Sequence, residues 1–283
     1  MKINLAKTAG FCFGVRRALE IALSAVRSGK EIYMLGDIVH NEDVVRQMRN
    51  AGIKKINTLS MRPAKTLLIR AHGTGVSVIK QAKKFGYKII DATCPMVKEI
   101  HNIAKGMEKQ GYRIIVIGDK NHDEVRGIIG QLKTKAIIID TAKPVPLKQI
   151  RDIPKAAVVV QSTQNEEKVL RTVGVLKNRI KKLRFFNTIC QPTRMKQKEI
   201  QALALENEVM IIIGSKTSAN TKRLFEISRS LNKRSYWISA KKQLRPAWFK
   251  NAKTTGITAG ASTPDSTTQE IIRQIKNYKY YCR

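Results

Sequence analysis

The same sequence pattern occurs three times along this chain: an apolar segment, a short turn, a cysteine, and then a stretch that favours a helix. The three cysteines are Cys12, Cys94 and Cys190. A second apolar segment follows each of them and ends, 24 residues after the cysteine, in Gly36, Gly118 or Gly214. An interval kept to the residue between otherwise dissimilar segments indicates internal duplication.

The register of the repeat continues past these glycines. Polar residues recur at the fourth position after the glycine, as His40, His122 and Ser218, and at the sixth, as Glu42, Glu124 and Asn220. A third apolar segment in each copy ends in small or polar residues that include His72, Ser162 and Ser262. Helices are predicted next, from about Val76, Glu166 and Asp265.

Strands that alternate with helices of about 15 residues predict βαβ crossovers and largely parallel sheets. Every strand-to-helix turn then lies at the carboxyl edge of its sheet, where open α/β sheets bind ligands. We therefore predict an α/β protein of three pseudo-repeated lobes, formed by residues 13–94, by 95–190, and by 191–283 together with 1–12. If the three carboxyl edges face a common axis, the three repeat cysteines converge.

Three thiolates without a fourth protein ligand leave an open coordination position, which suits a metal that must bind substrate. The residues alone leave three interpretations open: a 4Fe-4S cluster with one iron not held by protein, a zinc ion with a bound water, or no metal. We favour the cluster, because the closely spaced ligand pairs of structural zinc sites are absent. Cys282 lies outside the repeat and is interpreted as incidental.

Three of the four histidines occupy repeat turns, whereas His101 sits in a predicted helix. Imidazoles beside helix N-termini favour a phosphate pocket, although a single histidine is more often a packing or surface residue. Glu124 and Glu42 match by register, so spacing does not separate a proton donor from two carboxylates that favour helix starts. Helix N-caps are predicted at Asn41, Asp123, Asn165 and Asp265.

The formal charge is +33, from 54 basic and 21 acidic residues, which would attract nucleic acid or phosphorylated metabolites. The basic residues are spread along the chain without a dense tract, so we favour a solvated basic surface over a nucleic-acid-binding arm. No apolar run approaches the roughly 18 residues of a membrane span, and the N-terminus shows no signal peptide. We expect a cytoplasmic protein.

These residues resemble the 4-hydroxy-3-methylbut-2-enyl diphosphate reductases, the IspH or LytB family of the non-mevalonate isoprenoid pathway. The matching strings run in order from the first turn to the last: Gly-Phe-Cys12-Phe-Gly-Val, Ile-Val-His40-Asn, Arg-Ala-His72-Gly, Asp-Ala-Thr-Cys94-Pro, His122-Asp-Glu124-Val, Asn-Thr-Ile-Cys190, Gly-Ser-Lys-Thr-Ser218-Ala-Asn220 and Thr-Ala-Gly-Ala-Ser262-Thr-Pro-Asp. The chain departs from the family pattern at Ser162, where threonine is usual, at Ala219, where a serine is usual, and at Asp123, where a frequent proline is absent and the turn is expected to loosen.

The resemblance implies a trefoil of three α/β lobes around one 4Fe-4S cluster held by Cys12, Cys94 and Cys190. It implies that the hydroxyl group of a C5 diphosphate is removed to give isopentenyl and dimethylallyl diphosphates, with Glu124 as proton donor and a ferredoxin or flavodoxin as electron donor. The implied substrate-binding residues are His40, His72, His122, Ser162, Ser218, Asn220 and Ser262. The alternative is a basic phosphate- or nucleic-acid-binding protein with a structural zinc site.

Overall fold

The computed structural model describes residues 1–61 and 64–278, so Cys282 lies outside the described residues. The described strands are β1 (Lys2–Leu5), β2 (Ile32–Leu35), β3 (Lys54–Ile56), β4 (Thr66–Ile69), β5 (Lys88–Asp91), β6 (Arg113–Ile117), β7 (Ile137–Ile139), β8 (Lys155–Val160), β9 (Lys182–Phe185), β10 (Val209–Ile213), β11 (Ser235–Ile238) and β12 (Thr254–Ala259). The described helices are α1 (Phe13–Arg27), α2 (Glu42–Asn50), α3 (Val76–Lys84), α4 (Pro95–Lys109), α5 (Asp123–Ile129), α6 (Leu147–Ile150), α7 (Glu166–Lys177), α8 (Gln191–Glu206), α9 (Ala219–Leu231) and α10 (Asp265–Asn277), with two 3-10 turns at Lys241–Gln243 and Pro246–Phe249.

The strands form three four-stranded sheets with the orders β3-β2-β4-β5, β7-β6-β8-β9 and β11-β10-β12-β1. Every strand pair among the described residues is parallel. The three orders are the same plan, and the last strand of each sheet is the one that leads to a repeat cysteine. The predicted α/β class and the threefold repetition of a parallel sheet are therefore confirmed.

The central strands are continuous apolar runs because helices cover both of their faces. In β10, Val209, Ile211 and Ile213 pack with α10, whereas Met210 and Ile212 pack with α8 and α9. Successive side chains of a strand point to opposite faces, so a run of five buried residues fits a sheet between two helical layers. The edge strand β3 carries two exposed lysines, which disfavour pairing with another strand.

The chain divides into two compact units. One contains residues 1–16, 39–47 and 191–283, and it holds the sheet of β1, β10, β11 and β12. The other contains residues 17–38 and 48–190 and holds the other two sheets. The boundaries of the three predicted lobes stay a prediction. Across residues 1–61 and 64–278, no helix has both the length and the hydropathy required to cross a membrane.

Candidate active site

Each repeat cysteine directly precedes a helix. Phe13 begins α1 after Cys12, Gln191 begins α8 after Cys190, and Cys94 is itself the N-cap of α4, followed by Pro95. All three cysteines are half-buried, and none of the three forms a disulfide bond. The positive end of the helix backbone dipoles lies at each of these positions.

Equivalent backbone hydrogen bonds fix all three cysteines. The amides of Cys12, Cys94 and Cys190 donate to the carbonyls of Ala261, Ala71 and Ser162, at 3.1, 3.0 and 3.1 Å. Each acceptor lies two residues past the end of the strand that neighbours the one leading to the cysteine. The repeat read from the sequence is thus reproduced in individual hydrogen bonds at the carboxyl edge of every sheet.

The donor set suits an iron–sulfur cluster. Such clusters are held by cysteine sulfur, and these three cysteines are half-buried, not in disulfides and next to helix N-termini; a set of three would leave one iron without a protein ligand. The convergence of the three sulfur atoms stays a prediction.

Glu124 is buried in the unit that holds β6 and β8, with 2% of its surface exposed. The amide of Ser162 donates to Oε1 of Glu124 at 2.6 Å, and the Ser162 hydroxyl donates to Oε2 at 2.8 Å. Burial raises the pKa of Glu124 to about 7, against these two hydrogen bonds, which lower it. A carboxyl group that holds or releases its proton near neutral pH is suited to general acid catalysis.

His122 caps the helix that carries Glu124. Its Nδ1 accepts a hydrogen bond from the Glu124 amide at 3.1 Å, which leaves the proton of the neutral ring on Nε2 as a donor. The ring of His72 meets that of His122 edge to face, with centroids 5.4 Å apart. The structure therefore brings together two of the histidines that the sequence placed in repeat turns.

The N-cap prediction was wrong at Asp123 and Asp265, since both are the first residue of a helix and follow His122 and Pro264 at the cap. Imidazole Nδ1 accepts an amide hydrogen as a carboxylate does, so His122 takes that role. The prediction is confirmed at Asn41, which accepts from the amides of residues 43 and 44 at 3.1 Å, and at Asn165, which accepts from residue 168 at 2.9 Å.

Asp123 does not leave the turn loose, as the missing proline had suggested. Its carboxylate pairs with the guanidinium of Arg70 at 2.7 Å, and both side chains are more than four-fifths buried. Arg70 lies just after β4, so the pair ties the turn that carries His72 to the turn that carries Glu124. Arg70 carries no signal in the sequence and has no counterpart in the other two copies.

His101 also supports the His72 turn. It is buried, and burial lowers the pKa of its ring to about 4, so the ring is neutral. Gly73 has φ +71, and a Cβ there would lie 2.8 Å from Cε1 of His101. The glycine is therefore required both by the backbone conformation and by the imidazole packed against it.

The other unit holds the remaining residues predicted to bind substrate. The Ser262 hydroxyl donates to the carbonyl of His40 at 3.1 Å, which joins the turns of these two residues. Ser218 is the N-cap of α9, and its hydroxyl accepts from the amide of Thr221 at 3.3 Å. Asn220, in the first turn of the same helix, is 5% exposed and has no hydrogen-bond partner for its buried Nδ2 within the described structure. An orphaned donor beside a helix N-terminus fits an anionic ligand.

Glu42, which matches Glu124 by register, is exposed and accepts a hydrogen bond from the Ser215 hydroxyl at 2.7 Å. Glu42 is therefore solvated, whereas Glu124 is buried. Burial separates the two carboxylates that spacing left equivalent.

Comparisons with known proteins find relatives over nearly the whole length of the chain. The family described as LytB protein matches residues 3–276 of the chain. The 4-hydroxy-3-methylbut-2-enyl diphosphate reductase of Aquifex aeolicus is 39% identical over 281 residues, covering 97% of this chain and 94% of that protein. The enzyme of the same name from Campylobacter jejuni subsp. jejuni serotype O:23/36 is also 39% identical, covering 99% of both chains.

Two solved structures are also similar. One is (E)-4-hydroxy-3-methyl-but-2-enyl diphosphate reductase, described as the terminal enzyme of the non-mevalonate pathway, with a TM-score of 0.72 and 37% identity over 98% of this chain and 100% of that one. The other, the E-1-hydroxy-2-methyl-but-2-enyl-4-diphosphate reductase of Plasmodium falciparum, gives a TM-score of 0.88 with 29% identity over 96% of this chain and 87% of that one. The chain belongs to the LytB protein family.

Proposed function

We propose that this protein is a 4-hydroxy-3-methylbut-2-enyl diphosphate reductase that removes the hydroxyl group of its substrate and releases isopentenyl and dimethylallyl diphosphates. One observation carries the proposal most directly. Ser162 donates to Glu124 through both its amide and its hydroxyl, and its carbonyl accepts from the amide of Cys190. Ser162 therefore contacts both a buried acid with a pKa near 7 and the backbone of a proposed cluster ligand.

The overall change requires two electrons and two protons. The C–O bond of the substrate breaks, the hydroxyl group leaves as water, and the remaining C5 unit gains one hydrogen. Glu124 would donate the proton that turns the leaving hydroxide into water, because a neutral carboxyl group can donate where a carboxylate cannot. With a pKa of about 7, the residue can be reprotonated from solvent near neutral pH.

A 4Fe-4S cluster on Cys12, Cys94 and Cys190 would supply the electrons one at a time, together with a Lewis-acid position. An external one-electron donor, a ferredoxin or flavodoxin, is the proposed protein partner. Cysteines that are not in disulfides suit a reducing compartment, and we propose the cytoplasm.

The proposed diphosphate-binding residues are histidines, hydroxyl residues and one asparagine that follow the ends of strands: His40, His72, His122, Ser218, Asn220 and Ser262, with Ser162 next to the acid. Neutral imidazole N–H groups, hydroxyls and the first turn of α9 are the donors that a diphosphate requires. The unpartnered Nδ2 of Asn220 supports this assignment, since a buried donor without an acceptor is costly unless a ligand satisfies it.

The test is turnover of the hydroxylated C5 diphosphate by anaerobically purified protein with a chemical reductant, scored by formation of the two products. The protein should be brown, with broad visible absorption. A colourless zinc protein that binds phosphate without turnover would support the alternative of a zinc-containing phosphate-binding module and end the proposal.

Replacement of a single ligand sharpens the test. Cys94→Ser should lose both the cluster and product formation, because it removes one of three thiolates. Cys282→Ser is the matched control and should keep both, because that cysteine lies outside the repeat. Full activity in Cys94→Ser, measured with iron and sulfide content, would contradict the assignment of the ligands.

A further inference from the structure

The turn that carries Cys12 joins β1 to α1 and lies beside the carboxyl end of β12. Its main chain bonds to that strand through the amide of Ala6, which donates to Ile257 at 2.8 Å, and through the amide of Gly10, which donates to Ala259 at 3.4 Å. Gly10 has φ +89, a left-handed conformation that favours glycine. Two carbonyls of this turn, those of Thr8 and Gly10, accept hydrogen bonds from a side chain of α8.

That side chain of α8 is Lys196. Its ammonium group donates to the carbonyls of Thr8, Gly10 and Ala259, the last two at 3.1 Å. The residue is 2% exposed. An ammonium group has three hydrogens, and here each has a backbone acceptor, so the fold satisfies a buried cation completely.

Glu199, almost one helical turn further along α8, contacts the same turn. Its carboxylate accepts from the amide of Lys7 at 2.6 Å and from the amide of Thr8 at 2.9 Å, and the hydroxyl of Thr8 also donates to it. Two side chains of α8 therefore bind the segment before Cys12: the Lys196 ammonium group contacts its carbonyls, and the Glu199 carboxylate contacts its amides.

The ammonium group lies within the electrostatic range of Cys12. Burial lowers the pKa of Lys196 to about 8, while the charges of the Cys12 thiolate and the Glu199 carboxylate raise it. Interaction between two charges is mutual, so a cation that is stabilised by the thiolate also stabilises negative charge at the thiolate. The function proposed above has no role for this residue.

On the basis of that proposed function, we propose that Lys196 is a positioning residue for the Cys12 cluster ligand and that its buried charge raises the reduction potential of the cluster. Reduction adds negative charge, and a nearby cation held in a site of low polarity stabilises the reduced form more than the oxidised form. The three carbonyl contacts fix that cation, so it does not move away when the cluster charge changes.

The test compares midpoint potentials of anaerobically purified holoenzymes, each equilibrated with redox dyes and read by electron paramagnetic resonance. Lys196→Met removes the charge and should lower the ratio of reduced to oxidised cluster about tenfold at a fixed potential, a shift of about 59 mV for one electron. Lys196→Arg keeps the charge and should stay close to wild type. Lys198→Met, an exposed position on the same helix, loses the same charge in a screened place and should leave the potential unchanged.

Glu199→Gln gives a test of sign, since removing a negative charge from the same contact should raise the potential. If Lys196→Met is recovered without a cluster, its potential cannot be measured and Glu199→Gln becomes the test. A midpoint potential that does not rise in Glu199→Gln then overturns the proposal. A wild-type midpoint in a Lys196→Met protein with full iron and sulfide content overturns it as well. These outcomes differ from failure of the proposed function, which would show as absence of a cluster or of turnover in the wild-type protein.

Discussion

Removing the hydroxyl group of Ser162 should change how Glu124 titrates without moving Glu124 itself. In Ser162→Ala the hydrogen bond to Oε2 is lost, while the bond from the amide of residue 162 to Oε1 remains. The lost bond favours the ionised carboxylate, so its removal raises the pKa of Glu124 further above its present value of about 7.

The size of the shift follows from the energy of the bond. A hydrogen bond to a charged group contributes about 1.5 to 3 kcal/mol. Since one pKa unit corresponds to about 1.36 kcal/mol, the expected shift is roughly one to two units. The lower end is the better expectation, because the protonated carboxyl group also interacts with the hydroxyl and cancels part of the difference.

The assay is the pH dependence of kcat/KM for the reductase reaction, which reports groups of the free enzyme. The alkaline limb, where Glu124 loses the proton that it donates, should move upward by roughly one pH unit in Ser162→Ala. Ser162→Thr keeps the hydroxyl and is the matched control, with a limb that stays in place. An unmoved limb in an active Ser162→Ala enzyme with full cluster content would remove Glu124 from the role of proton donor or remove Ser162 from control of its pKa.

Two predictions concern stability. Folding raises the pKa of Glu124 from 4.5 to about 7, so the folded chain binds more protons than the unfolded chain in that window, and wild type loses stability as pH rises through it. Metal-free Glu124→Gln, compared with metal-free wild type by urea unfolding, should therefore gain up to about 3 kcal/mol in relative stability between pH 5 and pH 8; equal pH dependence would mean that the carboxyl group is solvated. Gly73→Ala should destabilise the fold by about 1 to 3 kcal/mol, because of its φ of +71 and its contact with His101. Gly106→Ala is the control, since Gly106 lies in α4 with open space around the new methyl group, and it should stabilise the fold by up to about 1 kcal/mol. If both variants shifted the melting temperature in the same direction, the predicted clash between residue 73 and His101 would be contradicted.

The sequence predicted the framework well because its signals are local. Helix starts expected at about Val76, Glu166 and Asp265 are the observed first residues of α3, α7 and α10. Apolar runs that end in glycine or small polar residues define where a buried strand stops and therefore where the next turn begins. The parallel pairing follows from the alternation of strands and helices.

Contacts between turns were not predictable in the same way. Lys196 and Arg70 carry no mark in the sequence, since a single basic residue on a helix or after a strand is normally solvated. Their partners are carbonyls or a carboxylate that become neighbours only when the sheet has formed. His101 was visible as a histidine, but its role depends on the glycine opposite it.

The sequence does distinguish Glu124 from Glu42 as the buried acid when two positions of the repeat are considered together. The carbonyls that receive the cysteine amides belong to Ala71, Ser162 and Ala261, so these three positions are equivalent. Only the second copy combines a carboxylate at the sixth position after the repeat glycine with a hydroxyl at that acceptor position: the first copy has Glu42 with Ala71, and the third has no carboxylate. A buried carboxylate needs a donor to hold it, and only Glu124 has one in the equivalent place, which is why the repeat yields one buried acid rather than two.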